Sequence, residues 1–278
     1  MSHTSTASPG RYRKLVTQIA FLCVVVIVLA WFARPDGRLH VIFLDTKGDA
    51  MLIQTPAGGY VLIDGGSDPA ALTAAIGRRM PFWQHSLEAV VLTKPDDAHL
   101  PGQVAALARY SAKRALVAPI AEHDITIDEW LRLLEEGRTP VRVVQVGEQF
   151  HFGGATLRVL AAGDAVESGM MLRLEYGVTS VVFSHVGGIA AEEALAAAGG
   201  LSPTDLVVFP WQRDAHTEFM AFLSPRAFVL TDGVKQEHPV EQTFVARSIG
   251  GVPLYHERLH GQIEWISDGQ RAWIITEE

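Results

Sequence analysis

The residues best suited to chemistry lie close together in the segment TKPDDAHLPG, residues 93–102. This segment places the carboxylates of Asp96 and Asp97 and the imidazole of His99 within four positions, and such groups are common ligands of divalent metals. Structural zinc sites use four protein ligands and catalytic ones usually three. Asp96 and His99 by themselves are too few. The alternative interpretation is that they cap the following helix and hydrogen-bond within their own loop.

Other catalytic chemistries leave no trace in the sequence. There is no Gly-x-Ser-x-Gly segment and no glycine-rich phosphate-binding loop followed by Lys and Ser or Thr. The one cysteine, Cys23, lies in an apolar run. Because the chain has a single cysteine, a disulfide framework and a multi-cysteine zinc site are excluded.

Short β-rich runs alternate with alanine-rich helical runs from residue 39 onward. Two β-rich halves, each followed by helices, predict one α/β domain at 39–278, with two sheets packed face to face and helices outside. Strands are predicted at 39–44, 51–55, 60–64, 87–93, 114–118, 141–146, 155–161, 170–176, 179–184, 205–210, 226–231, 252–256, 261–266 and 271–276. Helices are predicted at 70–80, 101–110, 127–137, 190–198, 216–223 and 239–249.

Three stretches carry a resemblance to a known family: LHVIFLDTKGDAMLIQTPAGGYVLIDGG (39–66), VVLTKPDDAHLPG (90–102) and LRLEYGVTSVVFS (172–184). Together they resemble the metallo-β-lactamase-fold domain at the C-terminus of DNA-internalisation competence proteins of the ComEC type. The opening motif, usually Asp-Val-Gly-Gln-Gly-Asp-Ala in that family, is one residue shorter here. The resemblance implies an αββα sandwich of the metallo-β-lactamase type.

The family's metal loop usually reads Thr-His-Pro-Asp-Ala-Asp-His-Leu-Gly-Gly, and this chain departs from it. Lys94 stands in place of the first His and Ala98 in place of the second Asp, whereas Asp96 and His99 stay in register. Asp97 is a partial substitute beside Ala98. Lys94 is predicted to pair with Asp96 or Asp97 and to fill the vacated metal position with its ammonium group.

The later ligands that the resemblance implies are also replaced. Val186 stands where the family has the Asp of Thr-Gly-Asp, and Trp211 stands where it has the first His of His-His-Gly-Ser. A rebuilt site, with zinc as its ion, would use histidines near these positions together with His99 and Asp97. The candidates are His185, His216 and His238. Asp45, Asp49 and Asp64 are interpreted as turn residues. The expectation is therefore that no residue is catalytic and that no metal is bound.

The N-terminal region has a different character. Residues 1–14 are predicted to be a disordered tail, and residues 15–32 are 18 uncharged residues, close to the length of a transmembrane helix. A cleaved signal peptide and a buried helix are the alternatives. Three basic residues precede this run and two follow it. This asymmetry predicts a single-pass membrane protein with its N-terminus in the cytoplasm and its domain outside.

The negative charge of the domain and the replacement of the metal ligands together decide which function the sequence predicts. Four of the 23 basic residues and none of the 31 acidic ones lie in residues 1–34, so the rest of the chain carries 12 more acidic than basic residues. Such a domain repels phosphate backbones, which makes nucleic acid an unexpected partner. The sequence favours a membrane-anchored, non-catalytic module that binds a protein partner. The alternatives are a metal-dependent nuclease or phosphodiesterase with a rearranged site, and a small-molecule sensor.

Overall fold

The computed structural model describes residues 14–24, 34–120, 124–163, 169–185, 189–199, 201–213, 217–232 and 251–277. They belong to two units, Met1–Asp36 and Gly37–Glu278. In the first unit, residues 14–24 are helical. Residues 1–13 and 25–33, which include most of the predicted tail and the second half of the predicted transmembrane helix, lie outside the described residues. No described helix is long and apolar enough to cross a membrane.

The second unit contains two large sheets. Among its described residues, the first sheet has eight strands in the order β17-β16-β1-β2-β3-β5-β7-β8. These strands are β1 Leu39–Phe43, β2 Ala50–Gln54, β3 Tyr60–Asp64, β5 Ala89–Leu92, β7 Ala115–Val117, β8 Val141–Val143, β16 Ile263–Ser267 and β17 Ala272–Thr276. The pairs from β17 to β3 are antiparallel, and those from β3 to β8 are parallel.

The other sheet has seven strands among the described residues, in the order β15-β14-β13-β12-β11-β10-β9. They are β9 Gln149–Phe152, β10 Ala155–Ala162, β11 Met170–Tyr176, β12 Thr179–Ser184, β13 Leu206–Pro210, β14 Ala227–Thr231 and β15 Leu254–Tyr255. Strands β12 to β15 run parallel. A separate short pair joins β4 Ser86–Leu87 to β6 Ser111–Ala112.

Helices cover the outer face of each sheet. They are α1 Pro69–Arg79, α2 Pro101–Leu107, α3 Ile125–Glu136, α4 Ile189–Ala198, α5 Glu218–Leu223 and α6 Glu257–His260. In β3, Val61 and Ile63 enter the core between the sheets, whereas Leu62 packs with the core under α1, α2 and α3. The helices α4, α5 and α6 pack on a third cluster outside the second sheet. The layers therefore run helix, sheet, sheet, helix, as the sequence predicts.

Most predicted elements of the domain are confirmed. Strands β4, β6 and β9 and the short helix α6 were not predicted, and the helix predicted at 239–249 lies outside the described residues. The strands β4 and β6 escape prediction because each has only two residues, too few to show a periodicity. The parallel strands β3, β5 and β12 all end at one edge of the sandwich, where the loops after them meet. Ligands of open α/β sheets bind at such carboxyl ends.

Candidate metal centre

Three buried side chains converge at the carboxyl edge of the strands. Asp49 lies just before β2, His99 in the loop after β5, and His185 directly after β12. The Oδ2 atom of Asp49 lies 3.2 Å from Nε2 of His99 and 3.6 Å from Nε2 of His185. One ligand atom from each of the three lies within 4.8 Å of the others. The packing of the two sheets against each other thus brings positions 49, 99 and 185 together.

The backbone of the first two loops interlocks to hold Asp49 and His99. The amide of Asp49 donates to the carbonyl of Ala98 (3.2 Å), and the amide of Gly65 donates to the carbonyl of His99 (2.6 Å). Gly102 permits this approach, because a Cβ atom there would lie 1.8 Å from the carbonyl oxygen of Gly65. Gly65 and Gly102 therefore allow the His99 loop to pack closely against the turn after β3.

The Nδ1 atom of each histidine ring is held by a carboxylate. His99 Nδ1 hydrogen-bonds to Oδ1 of Asp96. His185 Nδ1 lies 3.2 Å from Oδ2 of Asp64 and 2.9 Å from Oγ1 of Thr93. A metal-bound histidine almost always engages its other nitrogen in this way, since the carboxylate fixes the ring and raises its basicity. Both Nε2 atoms are thereby turned toward Asp49.

Asp64 serves as a buried brace rather than only a turn residue. Its carboxylate accepts hydrogen bonds from the Thr93 amide (2.7 Å) and the Thr93 hydroxyl (2.6 Å). It has a φ of 55°, a left-handed conformation that Asp and Asn tolerate better than most residues. This geometry ties the end of β3 to the start of the His99 loop and to His185.

The converging atoms fit a small divalent ion. Zinc bonds of about 2.0–2.1 Å at tetrahedral angles separate neighbouring ligand atoms by about 3.3 Å, and the two measured contacts of Asp49 are 3.2 and 3.6 Å. The Nε2 atoms of His99 and His185 are buried and make no hydrogen bond of acceptable geometry to a described residue. Two imidazoles and a carboxylate form the donor set that many catalytic zinc sites use.

The electrostatics of the cluster favour a cation at its centre. Burial lowers the pKa of His99, but its contacts with Asp49 and Asp96 outweigh burial and raise that pKa to about 10. Burial raises the pKa of Asp49, but His99 and His185 lower it more, so the net shift is downward. The pKa of Asp96 is also lowered, because His99 and Lys94 overcome the effect of burial. Without a metal, a proton on His99 supplies the positive charge.

A further carboxyl group lies at the same edge, at the start of α6. Burial and the negative charges of Asp45, Asp232 and Asp49 raise the pKa of Glu257 well above its usual range. Next to it, Nε2 of His256 lies 3.3 Å from Oδ1 of Asp232. The raised pKa favours the protonated form of Glu257, which is the form that a general acid requires.

Hydrogen bonds from Arg213 hold the end of strand β12 directly before His185. Arg213 donates to the carbonyl oxygen of Ser184 (3.1 Å) and to its hydroxyl (2.7 Å). The same guanidinium pairs with Glu192, whose side chain is buried. Because Ser184 immediately precedes His185, this ion pair helps to fix where the His185 ring enters the cluster.

The residues of the predicted metal loop take different roles from those expected. Lys94 pairs with Asp96 at 3.3 Å, as predicted, and 27% of its side chain is exposed. Asp97 is exposed and does not belong to the metal-binding group, so it does not substitute for the Asp that Ala98 replaces. Ala98 is buried and contributes its carbonyl. The capping prediction is wrong, since α2 has Leu100 as its N-cap residue and no side-chain cap. The predicted hydrogen bonding within the loop is confirmed, because Asp96 accepts from the Ala98 amide and bonds to the His99 ring.

The other predicted positions divide into two groups. His185 lies in the cluster, and Trp211 is partly buried just after β13, with its indole N–H making no hydrogen bond to a described residue. Val186, His216 and His238 lie outside the described residues. The interpretation of Asp49 as a turn residue missed its contacts with both histidines. Its place in the opening motif, just before a buried strand, was the only signal in the sequence.

Solved structures establish the fold, although no family model matches the sequence and no curated protein sequence is close enough to match it. The metallo-β-lactamase fold protein YhfI from Bacillus subtilis superposes with a TM-score of 0.56 at 15% identity, over 86% of this chain and 99% of YhfI. The chain has a metallo-β-lactamase fold.

Two further metallo-β-lactamase-like neighbours differ in chemistry. A diphosphatase from the PhnP family gives a TM-score of 0.51 at 13% identity, covering 82% of this chain and 98% of that chain. CmlA, a diiron β-hydroxylase from Streptomyces venezuelae, gives 0.51 at 13% identity, covering 84% of this chain and 54% of its own. Such identities show the fold alone. Nothing in these comparisons ties the chain to the ComEC type, so that resemblance stays a prediction.

Proposed function

We propose that this chain is a metal-dependent hydrolase that binds one divalent cation, with zinc the best fit, through Asp49, His99 and His185. The observation that carries the proposal is the orientation of the two histidines: each Nδ1 atom is held by a carboxylate, and each Nε2 atom is turned toward Asp49. The sequence favoured a non-catalytic module because it offered only two ligands in register. Of these two, Asp96 holds the His99 ring and is not in the cluster, whereas Asp49 and His185 join His99. The candidate ligands therefore number three, which is the usual number in catalytic zinc sites.

The cation, when bound, would lower the pKa of a coordinated water and polarise the bond to be cleaved. The chain's own groups supply the rest of the chemistry. Asp64, Thr93 and Asp96 hold the histidine rings in place. The partly exposed ammonium of Lys94 is suited to attract an anionic substrate. Glu257, whose raised pKa favours the protonated carboxyl, is suited to give a proton to a leaving group.

We infer a phosphoester as the substrate class. A bound cation and the ammonium of Lys94 would offset the carboxylates of Asp45, Asp49 and Asp232 at this edge and would let an anionic group bind there. The diphosphatase neighbour shows that the same fold is used for phosphate chemistry in another protein. A nuclease and a small-molecule phosphodiesterase are two sources of this chemistry, and the assay below includes a substrate for each.

The experiment uses the full chain purified in detergent. Bound metal is counted after dialysis, and hydrolysis of a chromogenic phosphodiester and of single-stranded DNA is measured with zinc, manganese or magnesium. We expect one equivalent of metal and turnover that a chelator abolishes. Asp49→Asn and His185→Ala should lose both. Asp97→Asn is the matched control, because Asp97 is exposed in the same loop, and it should keep both.

Two results would contradict the proposal, and they differ in what they overturn. A protein that binds no metal and gains no thermal stability from added zinc would remove the metal site, since a ligand of the native state must stabilise it. A protein that binds metal through Asp49 and His185 but turns over neither substrate would retain the site and remove the hydrolase function. That second result would favour the non-catalytic module.

A further inference from the structure

Two large aromatic side chains are exposed side by side in the loop between α1 and β4. Phe82 is 80% exposed and Trp83 is 50% exposed. Their ring centroids lie 4.8 Å apart in an edge-to-face arrangement. Single exposed apolar residues are ordinary, but a contacting pair of this size marks an interaction surface.

The chain segments on either side of this pair carry basic residues. The pairing of β4 with β6 joins the segments 69–87 and 98–121, which contain no acidic residue. Their basic residues are Arg78, Arg79, Arg109, Lys113 and Arg114. His85 connects the two segments, because its ring lies 6.2 Å from that of Tyr110 and its carbonyl accepts from the Ser111 amide. We name the six residues Arg78, Phe82, Trp83, Arg109, Tyr110 and Lys113 the aromatic–basic patch.

The charge of the patch opposes that of the domain. Residues 35–278 carry 12 more acidic than basic residues. Within the patch, Lys113 pairs with Glu88 at 2.9 Å, whereas the side chains of Arg78 and Arg109 are exposed. A local cationic surface on an acidic domain indicates an anionic partner.

The patch lies near the residues with which the domain begins. Arg79, at the end of α1, lies 3.3 Å from Glu264, and the same carboxylate lies 2.7 Å from His40 in β1. Phe82 follows Arg79 by three positions. In the sequence, only residues 33–38 separate β1 from the uncharged run 15–32.

We propose that the aromatic–basic patch docks on the surface of a bilayer that contains anionic lipid. Tryptophan and phenylalanine partition into the interfacial layer, and Arg and Lys beside them attract anionic headgroups. The uncharged run at 15–32 makes a bilayer the favoured partner over nucleic acid, the other large anionic partner. The proposal is independent of the metal centre, which lies in other loops.

The test places the full chain in nanodiscs and uses a fluorophore beside the patch, so that the six residues of the patch stay unchanged. Cys23→Ser removes the native thiol, and Gln84→Cys carries an environment-sensitive fluorophore beside Trp83. Val178→Cys is the matched control, because Val178 is 73% exposed in the turn between β11 and β12. The nanodiscs contain either phosphatidylcholine alone or phosphatidylcholine with phosphatidylserine.

We expect the emission at position 84, but not at position 178, to shift to shorter wavelength and to be quenched by spin-labelled lipid when phosphatidylserine is present. Arg78→Gln and Arg109→Gln should each lower the docked-to-undocked ratio about five-fold, and Phe82→Ser with Trp83→Ser should abolish docking. Thermal unfolding checks that each variant is folded. Equal signals at 84 and 178 would overturn the proposal. So would an emission shift at 84 on adding single-stranded DNA in detergent, which would assign the patch to nucleic acid.

Discussion

Zinc binding should release one proton from His99 at neutral pH. Burial opposes the charged imidazole, but Asp49 and Asp96 raise the pKa of His99 to about 10. A raised pKa keeps the ring protonated below pH 10, and a metal must displace the proton on Nε2 to bind there. Asp49 adds no proton, because its pKa is lowered and it is already ionised.

The size of the effect follows from the pKa. A pH of 7.5 lies about 2.5 units below the pKa of His99, so displacing the proton costs about 3 kcal/mol at about 1.4 kcal/mol per unit. Zinc affinity at pH 7.5 should therefore be about 300-fold weaker than the limiting value above pH 10. Between pH 7 and 9 the zinc Kd should fall about ten-fold per unit.

Calorimetric titration in two buffers of different ionisation enthalpy counts the protons, and a competing chromophoric chelator gives the Kd at each pH. Asp96→Asn should flatten the pH dependence, because it removes one of the three carboxylates that raise the pKa of His99. Asp97→Asn should leave the slope unchanged. A proton count near zero with a Kd that is constant from pH 7 to 9 would refute the placement of His99 as a protonated ligand.

Three further outcomes are expected. Asp64→Asn should weaken zinc binding by about 10- to 100-fold because it loosens His185 and Thr93, while asparagine still tolerates the left-handed backbone at that position. An unchanged zinc affinity in chelator competition would contradict the bracing role of Asp64. Gly102→Ala should destabilise the domain by about 3 kcal/mol or more because its Cβ meets backbone. The control Gly77→Ala, in open space on α1, should stabilise it by about 0.5–1 kcal/mol in denaturant unfolding. Protease added outside spheroplasts should digest the domain if the positive charges before residue 15 set its orientation, and protection until lysis would reverse that topology.

Most of the fold could be predicted from the sequence because most strands are buried and therefore apolar. In β3, Val61 and Leu62 face opposite sides and both are buried, one between the sheets and one under helices. Such strands give continuous apolar runs, bounded here by glycine turns. The short pair of β4 and β6 escaped prediction, since its strands form only where the helices α1 and α2 bring two loops together.

The sequence by itself determined the layered α/β domain and singled out the loop with Asp96 and His99. Only the tertiary structure decided what these residues do. Asp96 lies behind His99 as its hydrogen-bond partner, and the third residue of the candidate metal site is Asp49, which the sequence assigned to a turn. The physical reason is that a metal site depends on distances between side-chain atoms. Those among positions 49, 99 and 185 are set by how two sheets pack and by a glycine contact that lets two loops touch.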